Sequence, residues 1–279
     1  MYEAFYGLQE KPFSILPDPD LIYWGRAHRM AFSMLEFGVL NNAQFTVITG
    51  AVGSGKTTLV RHLLRKVDPR QTNVGLISNT PRDRDELLQW IMMSLNLPYE
   101  RPIPSLLKIF QDYLYNQRAR GRRTLLIVDE AQNLGEAALE SLRMLSNVNV
   151  DKDQFLQSIL VGQPQLRETL LRPELLQFAQ RVSSDFHLKA LSRDEVGEYI
   201  GFRLSAAGAR VHLFTNEACQ LVAEASGGIP RMINILCDTA LVYGYSSGVD
   251  CITRKMMDEV IEDKRNFGIF PVNAQMAAV

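Results

Sequence analysis

The residues that most constrain this chain are Phe45 to Val60, FTVITGAVGSGKTTLV. They read as an apolar strand, a glycine-rich loop and the opening of a helix. Gly50, Gly55, Lys56 and Thr57 match the pattern G-x-x-x-x-G-K-[ST] at every position. The chemistry needs these types at this spacing. In Gly50-Ala51-Val52-Gly53-Ser54-Gly55, glycines at the tight points let backbone N–H groups turn inward around a polyphosphate. The following helix, opening on Lys56, Thr57 and Thr58, adds unsatisfied amide donors and the positive end of its dipole. Lys56 is placed to reach β- and γ-phosphates, and Thr57 to offer a hydroxyl to Mg²⁺. The expected ligands are therefore ATP and Mg²⁺.

A second apolar strand, Thr124 to Val128, ends in Asp129-Glu130, within TLLIVDEAQ. Its near-continuous apolar run fits an interior strand of a parallel sheet. The carboxylates then emerge at the C-terminal edge, where open α/β sheets bind ligands. Asp129 is the expected partner of Mg²⁺ beside Thr57, and Glu130 the group that polarises an attacking water. A third strand, Gln157 to Val161, ends at Gly162-Gln163, which sets Gln163 at the same edge.

Between and around these lie alternating elements. A helix is expected over Arg26 to Leu40, with Met30, Met34, Phe37 and Val39 or Leu40 on its inner face. Asn73 to Ser78 reads as a second buried strand, and Arg84 to Leu95 as a helix with Leu87, Leu88, Ile91 and Leu95 inward. Arg101 to Pro104 reads as a turn. Helices follow over Leu106 to Arg118, Ala137 to Leu145 and from Pro164. A last strand runs near Ser184 to Leu188. Strands alternating with helices predict an α/β fold with a mostly parallel sheet. From Leu191 on, strand signals cease. Ser192 with Glu195 forms a capping box, Thr215 and Thr253 read as N-caps, and Pro230 opens a helix. The expected organisation is a lead-in (1–40) packed on the core, a nucleotide-binding core (41–190), a helical lid (191–265) and a tail (266–279). The tail's Phe267, Ile269 and Phe270 leave a docking peptide open.

Composition narrows the classes. A chain of 279 residues with 46% hydrophobic content buries a sizeable core. A formal charge of −1 argues against an extended basic coat for nucleic acid. Cys219, Cys237 and Cys251 share no metal-ligand spacing and read as reduced packed residues. No secretory signal or membrane span is legible, so the expected location is cytoplasmic, or peripheral at the inner membrane through a partner. Four arginines in Arg118 to Arg123, RARGRR, stand apart. Such a run is ordinarily a solvated turn, and it also suits phosphate or lipid headgroups.

Phosphoryl transfer concentrates negative charge, so arginines near the edge matter. Arg181, just before the last strand, is expected to face a neighbouring subunit's γ-phosphate, with Arg172 the runner-up. Arg231, in GGIPRMIN, is expected to lean over the nucleotide of its own chain.

These motifs together resemble the AAA+ ATPases of the ExeA/GspA type. The resemblance is carried by GAVGSGKTT, LLIVDEAQNL, LSNVN, ILVGQPQLRETLLRPELLQFAQRV, SGGIPRMINILCDTAL and the opening MYEAFYGLQEKPFSILPDPDLIYW, over about residues 1–265. It implies a P-loop three-layer αβα core with a small helical lid, and ATP hydrolysis serving secretion or exopolysaccharide export. It implies a homo-oligomer and a membrane protein partner. It makes Gln163 look like sensor 1, Arg181 the arginine finger and Arg231 sensor 2. Longer members continue into a transmembrane helix and a peptidoglycan-binding domain, so a short form is expected here. The same branch resembles the transposition regulators TniB and MuB, which keeps a DNA-associated ATPase open, as it does a nucleotide-gated scaffold with little turnover.

Overall fold

The computed structural model describes residues 1–78, 84–100, 102–147, 149–150 and 153–269. The expected turn residue Arg101 and the tail from Phe270 lie outside them. The chain divides into two compact units: residues 30–50 with 60–188, and residues 1–29 with 51–59 and 189–279.

The first unit is built on a five-stranded sheet. Its strands are β1 (Phe45–Gly50), β2 (Thr72–Ile77), β3 (Arg123–Val128), β6 (Leu156–Gly162) and β7 (Val182–Leu188). Two short strands, β4 (Asn149–Val150) and β5 (Asp153–Gln154), form a separate antiparallel pair. The large sheet runs β2-β3-β6-β1-β7 with every pairing parallel. Interior strands β1 and β6 are buried along their whole length. Strands buried on both faces need helices on both faces, and parallel neighbours need helical crossovers.

Those helices are α1 (Arg26–Leu40), α2 (Lys56–Lys66), α3 (Arg84–Ser94), α4 (Ile103–Ala119), α5 (Glu136–Leu145), α6 (Pro164–Leu170) and α7 (Leu176–Ala179). One face of the sheet contributes Phe45, Val47, Leu126, Val128, Leu156 and Leu160 to a core shared with α3 to α7. At its centre Phe45 and Phe178 stack with ring centroids 4.4 Å apart. The alternate residues point the other way. Among them Thr46 approaches Gly38 of α1 so closely that a Cβ at Gly38 would lie 2.1 Å from its hydroxyl. Only a glycine permits that approach.

Two sequence expectations are corrected here. The inward face of α1 is Ala31, Phe32, Leu35 and Gly38, whereas Met30, Phe37 and Leu40 are exposed. Both sets recur at helical spacing, and the contact at Gly38 decides between them. Strand β2 is an edge strand, not a buried one: among the described residues it pairs only with β3, and Leu76 points to solvent.

The second unit is helical: α8 (Arg193–Ala206), α9 (Asn216–Ser226), α10 (Pro230–Ser247) and α11 (Arg254–Phe267). The capping box at the start of α8 is formed. Ser192 Oγ accepts from Glu195 N at 3.3 Å, and Glu195 Oε2 accepts from Ser192 N at 2.9 Å. Thr215 caps α9 in the expected way. The lead-in differs from expectation. Its Tyr2, Tyr6, Leu8 and Phe13 are buried in the core of α8 to α11, not in the core of the sheet.

Arg203 of α8 fastens that lead-in. It is buried, and its guanidinium donates to Pro12 O at 2.7 Å, Ser14 O at 3.3 Å and the Tyr199 hydroxyl at 3.2 Å. Asn234 Nδ2 adds a bond to Ser14 O at 3.0 Å. A buried charge held by carbonyl oxygens is stabilising only while every bond is made. Arg203→Leu strands those acceptors and is expected to destabilise the helical unit by about 2–4 kcal/mol. The readout is the urea midpoint, with Arg203→Lys recovering part of the loss.

Candidate functional site

The C-terminal edge of the sheet gathers the strand ends that the motifs marked. Gly50 closes β1, Asp129 follows β3 and Gln163 follows β6. Asp129 N donates to Ile77 O of β2 at 2.8 Å, which extends the ladder by one residue and fixes where the carboxylates leave it. Glu130 then adopts a left-handed conformation, φ 53° and ψ 37°. For a side chain other than glycine this costs on the order of 1 kcal/mol and is concentrated at functional positions. The turn is held locally, since Glu130 N donates to Asp129 Oδ1 at 2.9 Å.

The Glu130 carboxylate lies within an amide network. Gln132 Nε2 donates to Glu130 Oε2 at 2.6 Å, and Gln163 Nε2 reaches the same oxygen at 3.3 Å. Gln163 N donates to Gln132 Oε1 at 2.9 Å, which closes the loop of contacts. The structure therefore brings Glu130 and Gln163 together and adds Gln132. That residue stood inside the DEAQ motif, but no spacing rule singled it out.

Residues 51–59 of the phosphate loop belong to the other unit. Gly53 and Gly55 have φ of 78° and 100°, values that glycine alone adopts without strain. Lys56 is buried, and its Nζ donates to Ala51 O at 2.9 Å. The buried Ser54 Oγ has no hydrogen-bond partner among the described residues. Thr57 and Thr58 stand in the first turn of α2. An ammonium, a spare hydroxyl and a glycine-turned backbone are the donor set a polyphosphate requires. Thr57 carries a hydroxyl and Asp129 a carboxylate, each a hard oxygen donor of the kind that suits Mg²⁺.

Two side chains hold the loop. Arg231, in the first turn of α10, donates its backbone N–H to Gly53 O at 3.2 Å. Its stem is packed so closely that a Cβ at Gly53 would lie 2.4 Å from Arg231 Cβ. On another side His28, buried, places Nε2 3.0 Å from Ser54 O. A carbonyl only accepts, so Nε2 carries the proton. Burial pushes the His28 pKa below its ordinary value, and the bond to Ser54 and the charge of Glu195 oppose this only in part. Glu195 Oε1 accepts from Arg26 N at 3.0 Å, which anchors the start of α1 beside this histidine. Sequence reading missed His28. A lone histidine in a helix carries no motif.

The two other arginines are engaged within their own chain. Arg181 Nη1 contacts Arg143 O at 3.3 Å, Ser146 Oγ at 3.4 Å and Asn147 Oδ1, at the C-terminal end of α5. A cation at that end of a helix is favourable. Arg172 pairs with Glu136 at 2.6 Å, in an exposed ion pair.

Comparison with known proteins places this architecture. The AAA domain family matches residues 40–170. General secretion pathway protein A of Aeromonas hydrophila is 40% identical over 250 residues, covering 89% of this chain and 46% of that protein. The chain is an AAA+ protein of the ExeA/GspA type. It spans about half the length of that ExeA/GspA relative. Solved structures share the fold at low identity. The ORC2 protein of Aeropyrum pernix has a TM-score of 0.66 at 16% identity, over 91% of this chain and 72% of that one. RuvB, the Holliday junction branch migration motor of Thermotoga maritima, has a TM-score of 0.60 at 19% identity, over 89% and 73%. This is a nucleotide-binding P-loop fold with a helical C-terminal region, as the resemblance implied. No helix among the described residues is long and apolar enough to cross a membrane.

The depressed pKa of His28 has a stability consequence with a definite sign. The fold favours the neutral ring, so its contribution is complete above about pH 6.5, the unperturbed value, and is lost as pH falls through the lower folded value. Thermal melts taken from neutral to mildly acid pH are expected to show stability falling over that window. His28→Gln, which keeps a donor and removes the titration, is expected to flatten the profile.

Proposed function

We propose that this ExeA/GspA-type protein hydrolyses ATP to ADP and phosphate and couples nucleotide state to conformation in a homo-oligomer. The observation that carries the reading is Glu130, turned out of β3 in a left-handed conformation with its carboxylate held by Gln132 and Gln163. A carboxylate oriented by neutral amide donors keeps oxygen lone pairs for a water.

In this reading the backbone of residues 50–55 binds the phosphates, and Lys56 neutralises charge on the β- and γ-phosphates. Mg²⁺, held by Thr57 and Asp129, would supply further neutralisation at the phosphate oxygens. Glu130 orients the attacking water and accepts its proton. Gln163 lies beside the γ-phosphate as sensor 1 and reports its presence to Glu130 through their shared contact. Arg231, already against Gly53, extends toward the phosphates of its own chain as sensor 2. Arg181 leaves the end of α5 to reach a neighbour's γ-phosphate, with Arg172 the alternative finger. The relative's name supports envelope secretion as the pathway; exopolysaccharide export, a membrane protein partner and a cytoplasmic location belong to the same reading through the family resemblance. A DNA-associated role is the alternative. Turnover measured with and without DNA at two salt concentrations decides it, because phosphate contacts are salt-sensitive.

Glu130→Gln is expected to bind ATP and lose at least about 10²-fold in turnover. Unchanged turnover would refute hydrolysis through Glu130 and leave the scaffold reading. Arg181→Ala is expected to retain ATP binding and lose about 10³-fold or more. A variant that only melts at lower temperature, with normal turnover, would show that Arg181 caps α5 and nothing else.

A further inference from the structure

The sheet has a second edge, where β1, β3 and β6 begin. The arginine run expected to be a solvated turn lies there. A cavity of about 250 Å³ opens among Asn41, Asn42, Arg118, Arg122, Arg123 and Phe155. The two asparagines follow α1. Arg118 stands in the last turn of α4, and Arg122 and Arg123 lead into β3. No acidic side chain is among its described lining residues.

The bonds of Arg122 and Arg123 within the chain go to neutral oxygens. Arg122 Nη2 donates to Pro69 O at 3.0 Å and to Asn73 Oδ1, while its Nε is buried without a hydrogen-bond partner. Arg123 Nη1 reaches Val39 O at 3.4 Å, a long contact. The guanidinium groups of Arg122 and Arg123 line one cavity and repel one another, and an anion with several oxygens relieves that repulsion. Guanidinium forks match carboxylate and phosphate oxygens bidentately, and phosphate is the one that an anionic bilayer presents.

Exposed apolar side chains adjoin its lining residues along the chain. Phe37 and Leu40, in the last turn of α1 before Asn41, are 52% and 73% exposed. Tyr115, one turn before Arg118 on α4, is also exposed and meets Phe155 edge-on at 5.3 Å. Arginines with exposed aromatic and aliphatic neighbours are the chemistry of a bilayer interface. Nucleic acid would ask instead for a track of cations and open stacking faces. A single concave cavity beside a projecting leucine is a different arrangement. We propose that this edge docks on an anionic bilayer surface, with one lipid phosphate in the arginine cavity and Phe37 and Leu40 at the acyl boundary.

The test is co-sedimentation of the full chain with vesicles of phosphatidylcholine alone and of phosphatidylcholine with phosphatidylglycerol. The protein is expected to sediment with the second kind only, and less as salt rises. Arg123→Gln is expected to weaken binding about fivefold, the effect of one basic residue near such a surface. Leu40→Ser is expected to weaken it without any change of charge. Both side chains are exposed, so melting temperatures are expected to stay at the wild-type level and exclude misfolding as the cause. Equal sedimentation with both vesicle types would overturn the proposal, as would full binding by both variants. So would capture of duplex DNA or inorganic phosphate through these arginines by a protein that ignores the vesicles.

Discussion

The phosphate loop of this protein is shaped by what presses on it. Gly53 and Gly55 allow the backbone to turn, but turning alone leaves a loop with many conformations. The stem of Arg231 against Gly53 and the buried His28 ring beneath Ser54 select one. Each clamp comes from a helix start: Arg231 from the first turn of α10, and His28 from the first turn of α1. Helix starts are where backbone donors lack partners. The loop is therefore held by the elements best placed to respond to a bound anion. A change at the phosphates has a direct mechanical route into α10 through Gly53.

Much of this was legible in sequence where chemistry demands fixed spacing. The glycine loop with Lys56 and Thr57, the run ending in Asp129, and the capping residues Ser192 and Thr215 each declare themselves locally. What stayed hidden depended on a choice of partner. Helix α1 carries two apolar sets at helical spacing, and only the approach of Thr46 to Gly38 shows which faces inward. The lead-in aromatics demanded burial, yet Arg203, a residue with no motif, fixes where. Gln132 sat in plain view, but its role rests on a three-residue hydrogen-bond circuit that no linear pattern encodes. The hairpin of β4 and β5 is two residues per strand, too short for any periodicity to appear.

Arg181 illustrates the limit in the other direction. Its sequence position pointed outward, to a neighbouring subunit. In the structure it bonds the end of its own α5. These are successive states in the proposed cycle: a finger that caps α5 within the chain is released when a neighbour's γ-phosphate offers more charge. The same economy of position governs the sheet. Its C-terminal edge gathers Gly50, Asp129, Glu130 and Gln163, while its opposite edge gathers the arginines and exposed apolar residues around Arg123. One edge is suited to chemistry and the other to anchoring.

The account stands or falls on nucleotide occupancy of the loop. The most direct measurement is calorimetric titration of ATP with Mg²⁺ into the wild-type protein and into Lys56→Ala, followed by assay of the same samples for released phosphate. The account predicts saturable binding and phosphate release by the wild type, with both lost in Lys56→Ala. Absence of ATP binding by a folded wild-type protein, or binding that is indifferent to Lys56, would contradict it.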